Sequence, residues 1–183
     1  MQRIPALTTA AAPAASQPML EAVHKKLGMV PNLIKTFAHS PAVLKYYLAG
    51  SEALGAGTLP AALREQIALV TAGANGCDYC ASAHTLMGKG AGLTASEMAD
   101  NLRGRSGNAK TQAALDFAAA VVATRGRVSD AQLQAVRSAG YADAELVEIV
   151  ATVVSNIFTN YFNHVAGTVI DFPVVKATEP VPA

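Results

Sequence analysis

Tryptophan is absent from the 183 residues, cysteine occurs only twice, and charged residues make up 15% of the chain. Each shortage excludes something. Two cysteines cannot knit a disulfide framework, so the fold must rest on a hydrophobic core. The charged fraction falls below the usual ~25%. A formal net charge of +1 supplies neither the basic face of a nucleic-acid binder nor the polybasic patch of an acidic-lipid binder. Arg103, Arg105, Arg125 and Arg127 are scattered loop charges rather than such a face. With 51% of residues hydrophobic and so little charge to cover them, a monomer would expose apolar patches. That points to burial in a homo-oligomer.

Targeting and membrane signals are equally thin. Pro5 and Pro13 interrupt an N-terminus in which alanine and threonine replace the apolar block of a secretory signal. The uncharged run from Ile149 to Ile170 is long enough to span a bilayer. It carries Ser155, Asn156, Asn160, Asn163 and His164, however, a costly polar load in hydrocarbon. A buried helix of a cytoplasmic protein, with no membrane partner, is the expectation.

No β-type alternation persists beyond a few residues, and the punctuation is that of helices. Ser40-Pro41 is an N-cap followed by proline at the first helical position. Thr94-x-x-Glu97 is a capping box. The spacing predicts helices over 18–27, 32–38, 41–55, about 60–73, about 77–89, a short one after Thr94, 111–124, one capped by Ser129 that ends at Gly140, and a last from about Asp143. Asn75-Gly76 marks a sharp bend between two of them. The expected organisation is an extended or mobile segment at 1–15, a single all-α domain at 16–172, and a tail at 173–183 containing Pro173, Pro180 and Pro182. Sliding the chain by 83 positions sets LREQIALV (63–70) over LVEIVATV (146–153), with Glu65 over Glu148, Cys77 over Asn160 and Cys80 over Asn163. This weak repeat predicts two similar helical hairpins, of which only the first carries thiols.

The chemistry concentrates in Glu65 to His84. Cys77 and Cys80 are spaced C-x-x-C, His84 follows four residues later, and Glu65 lies twelve before the first cysteine. Steps of three and four bring Cys77, Cys80 and His84 to one stripe of a helix. Cα atoms at that i,i+3 spacing lie roughly 5–5.5 Å apart, within the range of a disulfide. Cys77, in the first turn, would have its thiolate favoured by the helix dipole. His84, one turn past Cys80, could take that thiol's proton or donate to the thiolate. If the preceding helix folds back across Asn75-Gly76, Glu65 reaches His84 and orients the imidazole.

The pattern E-x(11)-C-x-x-C-x(3)-H after an Ala-rich helix resembles the core of the alkylhydroperoxidase D-like proteins of the carboxymuconolactone decarboxylase superfamily. The runs GMVPNLIKTFAHSPAVL (28–44) and NYFNHVAGTVIDFP (160–173) resemble its uncharacterised peroxidase-related branch. The resemblance implies an all-α AhpD-like helical bundle that assembles as a homo-oligomer and reduces hydrogen peroxide or organic hydroperoxides through its thiols. It further implies Cys80 as the attacking thiol, Cys77 as the resolving one, and Glu65 and His84 as a proton relay. An external dithiol, a lipoyl-bearing or thioredoxin-like protein, would restore the pair, and no metal or organic cofactor is required. Well-studied members carry a second histidine just before the second cysteine, where this chain has Tyr79.

Rival readings remain for the same residues. Cys77, Cys80, His84 and Glu65 could supply four zinc ligands, although three would crowd one helix. The superfamily's lyase chemistry on a lactone does not depend on a cysteine pair. A non-catalytic redox sensor would use the disulfide as a switch. His164 is expected to be a satisfied buried histidine, and Glu148 a buried carboxylate bonded between helices. Tyr46, Tyr47, Tyr161 and Phe162 are expected in the core or at an interface.

Overall fold

The computed structural model describes residues 2–177; Pro180 and Pro182 of the expected tail lie outside the described residues. Among the described residues the regular structure is helical throughout. It comprises α1 (Gln17–Leu27), α2 (Asn32–Phe37), α3 (Pro41–Gly55), α4 (Ala61–Asn75), α5 (Asp78–Gly90), α6 (Ala95–Leu102), α7 (Ala109–Thr124), α8 (Asp130–Ser138) and α9 (Asp143–Ala166). The all-α expectation holds. No helix of the described residues is long and apolar enough to cross a membrane.

Local signals set most helix ends. Ser40 accepts a hydrogen bond from the Val43 N–H at the start of α3, and Thr94–Glu97 forms a reciprocal capping box on α6. Ser129–Gln132 forms the same device on α8. Each satisfies N–H groups that have no partner within the helix. Gly76 ends α4 with φ +64°. The Cys77 N–H reaches the Ala72 carbonyl and the Gly76 N–H that of Gly73, a Schellman turn that favours glycine at the left-handed position. The Asn75-Gly76 bend is therefore a built helix stop.

The described residues partition into two compact units. The first takes the residues up to Ala56 together with Phe162–Asp171. In it the Phe37 ring packs against Tyr47 and Phe162, with centroids 5.2 and 4.5 Å away. The Asp171 carboxylate accepts from the Asn32 N–H at 2.7 Å, at the positive end of α2. The N-terminal segment is tied down through hydrogen bonds from Arg3 and Ile4 to the Ala166 carbonyl and from Leu7 to that of Lys35.

The second unit takes Gly57–Tyr161 and the described residues from Phe172 onward. Its core joins Leu63, Ile67 and Val70 of α4 to Leu115, Phe117 and Val121 of α7, Val136 of α8, and Leu146, Ile149 and Val153 of α9. Helix α4 is buried nearly all round, from Gln66 to Gly73 without interruption. A helix apolar on every face belongs inside, and α4 packs on α5, α6 and α7. At Gly73 it lies so near α6 that a Cβ would stand 2.0 Å from the Leu102 carbonyl oxygen.

The second half of the expected repeat is not a hairpin. Residues 143–166 form one continuous helix. Thr159, which aligns with Gly76, has no glycine-like freedom to take the left-handed turn and stays helical. One further expectation is corrected: His164 is exposed on α9 rather than buried. Of the aromatics expected in the core or at an interface, Tyr47 and Phe162 pack on Phe37, while Tyr46 and Tyr161 are exposed, at 69% and 56%.

Candidate active site

The Schellman turn reverses the chain so that α5 returns along α4. Glu65, near the start of α4, and His84, at the middle of α5, then meet: His84 Nδ1 lies 2.8 Å from Glu65 Oε2. Their side chains are 17% and 19% exposed, so the pair is largely enclosed by protein. Burial alone would push the His84 imidazole down. The charge and hydrogen bond of Glu65 oppose that burial, with help from Cys80 and from a side-chain hydrogen bond with Asn156, and the ring is raised above its ordinary 6.5. Asn156 stands on α9, is 8% exposed, and donates its own Nδ2 to the Thr152 carbonyl at 2.9 Å.

Cys77 is the N-cap of α5 rather than a residue of its first turn. Its backbone is extended (φ −92°, ψ 94°), and its Sγ accepts a hydrogen bond from the Cys80 N–H, with 3.4 Å between sulfur and nitrogen. An oxygen normally holds this position. Here a sulfur does, and both the donated N–H and the helix dipole favour its thiolate form. Cys80 lies one turn before His84 on the same stripe and adds to the charge acting on that ring. Neither thiol is in a disulfide, and both are almost fully buried, at 1% and 2% exposure. The structure thus brings together all four residues singled out from the spacing, Glu65, Cys77, Cys80 and His84, and adds Asn156. That asparagine belongs to the polar run already evident in residues 155–164, but no local pattern distinguishes it from Asn160 or Asn163.

The opposite side of α5 is held by the segment after α9. Val175 exchanges hydrogen bonds with the Ser82 hydroxyl. Asp78 pairs with Lys176 at 2.6 Å and accepts from the Ala177 N–H. The Tyr79 ring meets Phe172 edge-on, with centroids 5.5 Å apart. The residue at the second-histidine position is therefore buried against an aromatic neighbour.

Two sequence candidates fall elsewhere. Glu148 accepts from the N–H groups of Thr58 and Leu59 and from the Thr58 hydroxyl. These bonds, the backbone ones first, hold its carboxyl below the ordinary carboxylate value. It is partly exposed and ties the loop before α4 to α9, a structural use close to the one expected. No group of three or more His, Cys, Asp or Glu among the described residues is arranged to hold a metal ion.

Residues 41–123, which contain Glu65, Cys77, Cys80 and His84, match the carboxymuconolactone decarboxylase family. The fold matches the alkylhydroperoxidase AhpD core of an uncharacterized peroxidase-related protein from Ralstonia eutropha JMP134. Identity is 29%, the TM-score is 0.83, and 93% of this chain and 92% of that one are covered. The fold is thus AhpD-like, and its residues 41–123 are similar to the carboxymuconolactone decarboxylase family. An uncharacterized peroxidase-related protein from Silicibacter sp. TM1040 is 26% identical, with TM-score 0.80 over 92% of both chains. The debrominase Bmp8, at 22% identity and TM-score 0.78 over 92% of this chain and 91% of its own, shares the fold. No curated protein matches the sequence. The AhpD-like fold and the family match support a peroxidase-related or decarboxylase-type function. Which chemistry this chain performs turns on its own residues.

Proposed function

We propose that this AhpD-like protein is a thiol-dependent peroxidase that reduces hydrogen peroxide or organic hydroperoxides through a Cys77–Cys80 dithiol cycle. The observation that carries the reading is a Glu65–His84 pair at 2.8 Å beside Cys80, on the helix that Cys77 caps. A lactone lyase has no need of two thiols so arranged.

The steps follow from the placement. The Cys80 thiolate attacks one peroxide oxygen; the S–O bond forms and the O–O bond breaks. The departing alkoxide or hydroxide takes a proton from His84, which Glu65 keeps oriented, and Cys80 becomes a sulfenic acid. Cys80 is the attacking thiol because its neighbour His84 is the proton donor the leaving oxygen requires. Cys77, whose thiolate the Cys80 N–H favours, then attacks the sulfenic sulfur: the S–S bond forms, the S–O bond breaks, and the departing hydroxide takes up the proton that the Cys77 thiol released and leaves as water. An external dithiol returns two electrons and two protons by exchange. Thiols 1% and 2% exposed favour a slender reductant such as a lipoyl arm over a partner that must dock a broad surface. Val147, Val150 and Val154, exposed along one stripe of α9, offer a face for homo-oligomerisation.

Mass spectrometry after one equivalent of peroxide tests the cycle. Loss of two hydrogens mapped to Cys77–Cys80 is expected, together with dithiothreitol-dependent turnover that both Cys77→Ser and Cys80→Ser abolish. Overoxidation of one lone cysteine, or parent-rate turnover in both variants, refutes it. Loss of lactone absorbance on adding a lactone substrate would identify the lyase instead. Disulfide formation without turnover would identify a sensor.

A further inference from the structure

Cys77 and Cys80 are 1% and 2% exposed, yet thiol exchange brings an external sulfur into line with one of theirs. Part of α5 must therefore open. Cys77, Cys80 and His84 share one stripe of that helix, while Asp78 and Ser82, four residues apart, share the other side. The thiol stripe is turned inward, and the other side is crossed by the segment after α9. We propose that Phe172–Ala177 is a strap that gates the thiols. Docked, it holds the first turn of α5 shut; released, it frees that turn to swing about Gly76 and present Cys77 and Cys80.

The strap's contacts fall on the residues that flank Cys80. Asp78, two before it, pairs with Lys176 Nζ at 2.6 Å and accepts from the Ala177 N–H at 2.9 Å. Tyr79, beside it, meets the Phe172 ring edge-on. Ser82, two after it, accepts from the Val175 N–H at 2.9 Å. These contacts bracket the turn whose Cys80 N–H is donated to Cys77 Sγ. At the near end of that turn Gly76 has φ +64° and nothing within 4 Å of where a Cβ would stand, so a swivel there meets no packed neighbour. The attachments are of a kind that yields. Lys176 and Asp78 are 77% and 34% exposed, and exposed ion pairs are weak and screened by salt. The strap acts from behind the helix: inward-facing sulfurs are reached by moving the turn, a local opening that leaves the core intact.

The effect on turnover rests on the peroxidase reading, but the gating of the thiols does not. In reduced, full-length protein, alkylation of Cys77 and Cys80 by N-ethylmaleimide is followed by mass spectrometry beside amide hydrogen exchange. Lys176→Glu sets like charges together at Asp78, and Phe172→Ala takes the ring away from Tyr79. The double variant should exchange faster at Val175 and Ala177 and be alkylated about tenfold faster, with the core amide of Leu115 unchanged. Added salt should speed alkylation of the wild type and slow that of Lys176→Glu, where it screens a repulsion. Faster exchange at Val175 with unchanged alkylation overturns the proposal, because the strap then moves without opening the turn. Unchanged exchange at Val175 in the double variant overturns it as well, because these contacts then do not hold the strap. Alkylation that rises only in step with Leu115 exchange marks a general loosening and also overturns it. If wild-type protein forms no Cys77–Cys80 disulfide with peroxide, the peroxidase reading fails, while the alkylation rates still decide the role of the strap.

Discussion

Replacing Gly73 by alanine isolates the contact that sets the distance between α4 and α6. Alanine is the better helix former by about 1 kcal/mol, so on propensity alone Gly73→Ala should stabilise α4. The packing reverses the sign. The new Cβ would lie 2.0 Å from the Leu102 carbonyl oxygen and 3.0 Å from its carbonyl carbon. Both obstacles are backbone, so no side chain can swing aside, and the helices must part by more than about 1 Å to relieve the clash. A gap of about 0.5–1 Å already forfeits about a quarter to a half of the dispersion energy of each atom pair it opens. Overpacking of this kind costs about 3 kcal/mol, the upper part of its usual range, leaving a net loss of about 2 kcal/mol after the propensity gain. Gly50 is the control. It lies inside α3 with nothing within 4 Å of a Cβ, so Gly50→Ala should gain about 0.5–1 kcal/mol. Urea unfolding followed by far-UV circular dichroism should separate the two variants by about 3 kcal/mol. Equal midpoints, or a Gly73→Ala protein more stable than Gly50→Ala, would refute the argument. Because α4 also carries Glu65, Gly73→Ala should slow peroxide-driven disulfide formation at temperatures where it remains folded.

Three further outcomes follow from the site and its supports. A His84 raised above 6.5 in the folded chain contributes stability that is fully present below the unfolded value and is lost as pH rises through the folded one. The wild type should therefore lose unfolding free energy on passing upward from about pH 6.5, and Glu65→Gln should reverse that slope, because burial would then act on the imidazole with its main opposing charge gone. Ser82→Ala removes both hydrogen bonds to Val175 and should cost about 1 kcal/mol, read most directly as faster amide hydrogen exchange at Val175 with little change at Leu115 in the core. Glu148, held below the ordinary carboxylate value by Thr58 and Leu59, contributes stability above its unfolded value that is lost as pH falls through the folded one. Glu148→Gln should flatten the acid limb of the unfolding curve and speed exchange of the Thr58 and Leu59 amides; an unchanged acid limb would count against that cap.

What the sequence determined by itself was local. The Ser40, Thr94 and Ser129 caps satisfy N–H groups three residues away, and Asn75-Gly76 stops α4 through bonds closed within six residues. The C-x-x-C-x(3)-H spacing brings Cys80 and His84 to one stripe because helical geometry repeats every 3.6 residues. Even the meeting of Glu65 with His84 was legible, since a single glycine turn decides that α5 folds back on α4. The tertiary structure decided what depends on distant segments. Asn156 is 72 residues from His84, and nothing in Ser155–Asn163 marks which of three asparagines will help raise the imidazole's pKa until α9 has packed. Glu148 finds its partners 90 residues away, and the segment at Val175 finds Ser82 from a distance of 93. The repeat misled for the complementary reason. Similar apolar spacing in 63–70 and 146–153 predicted two hairpins, but a hairpin needs a residue able to turn, and Thr159 offers a β-branched side chain where Gly76 offers none. Side-chain chemistry chose the helices and the thiols; packing chose the distant partners of Glu148 and Ser82.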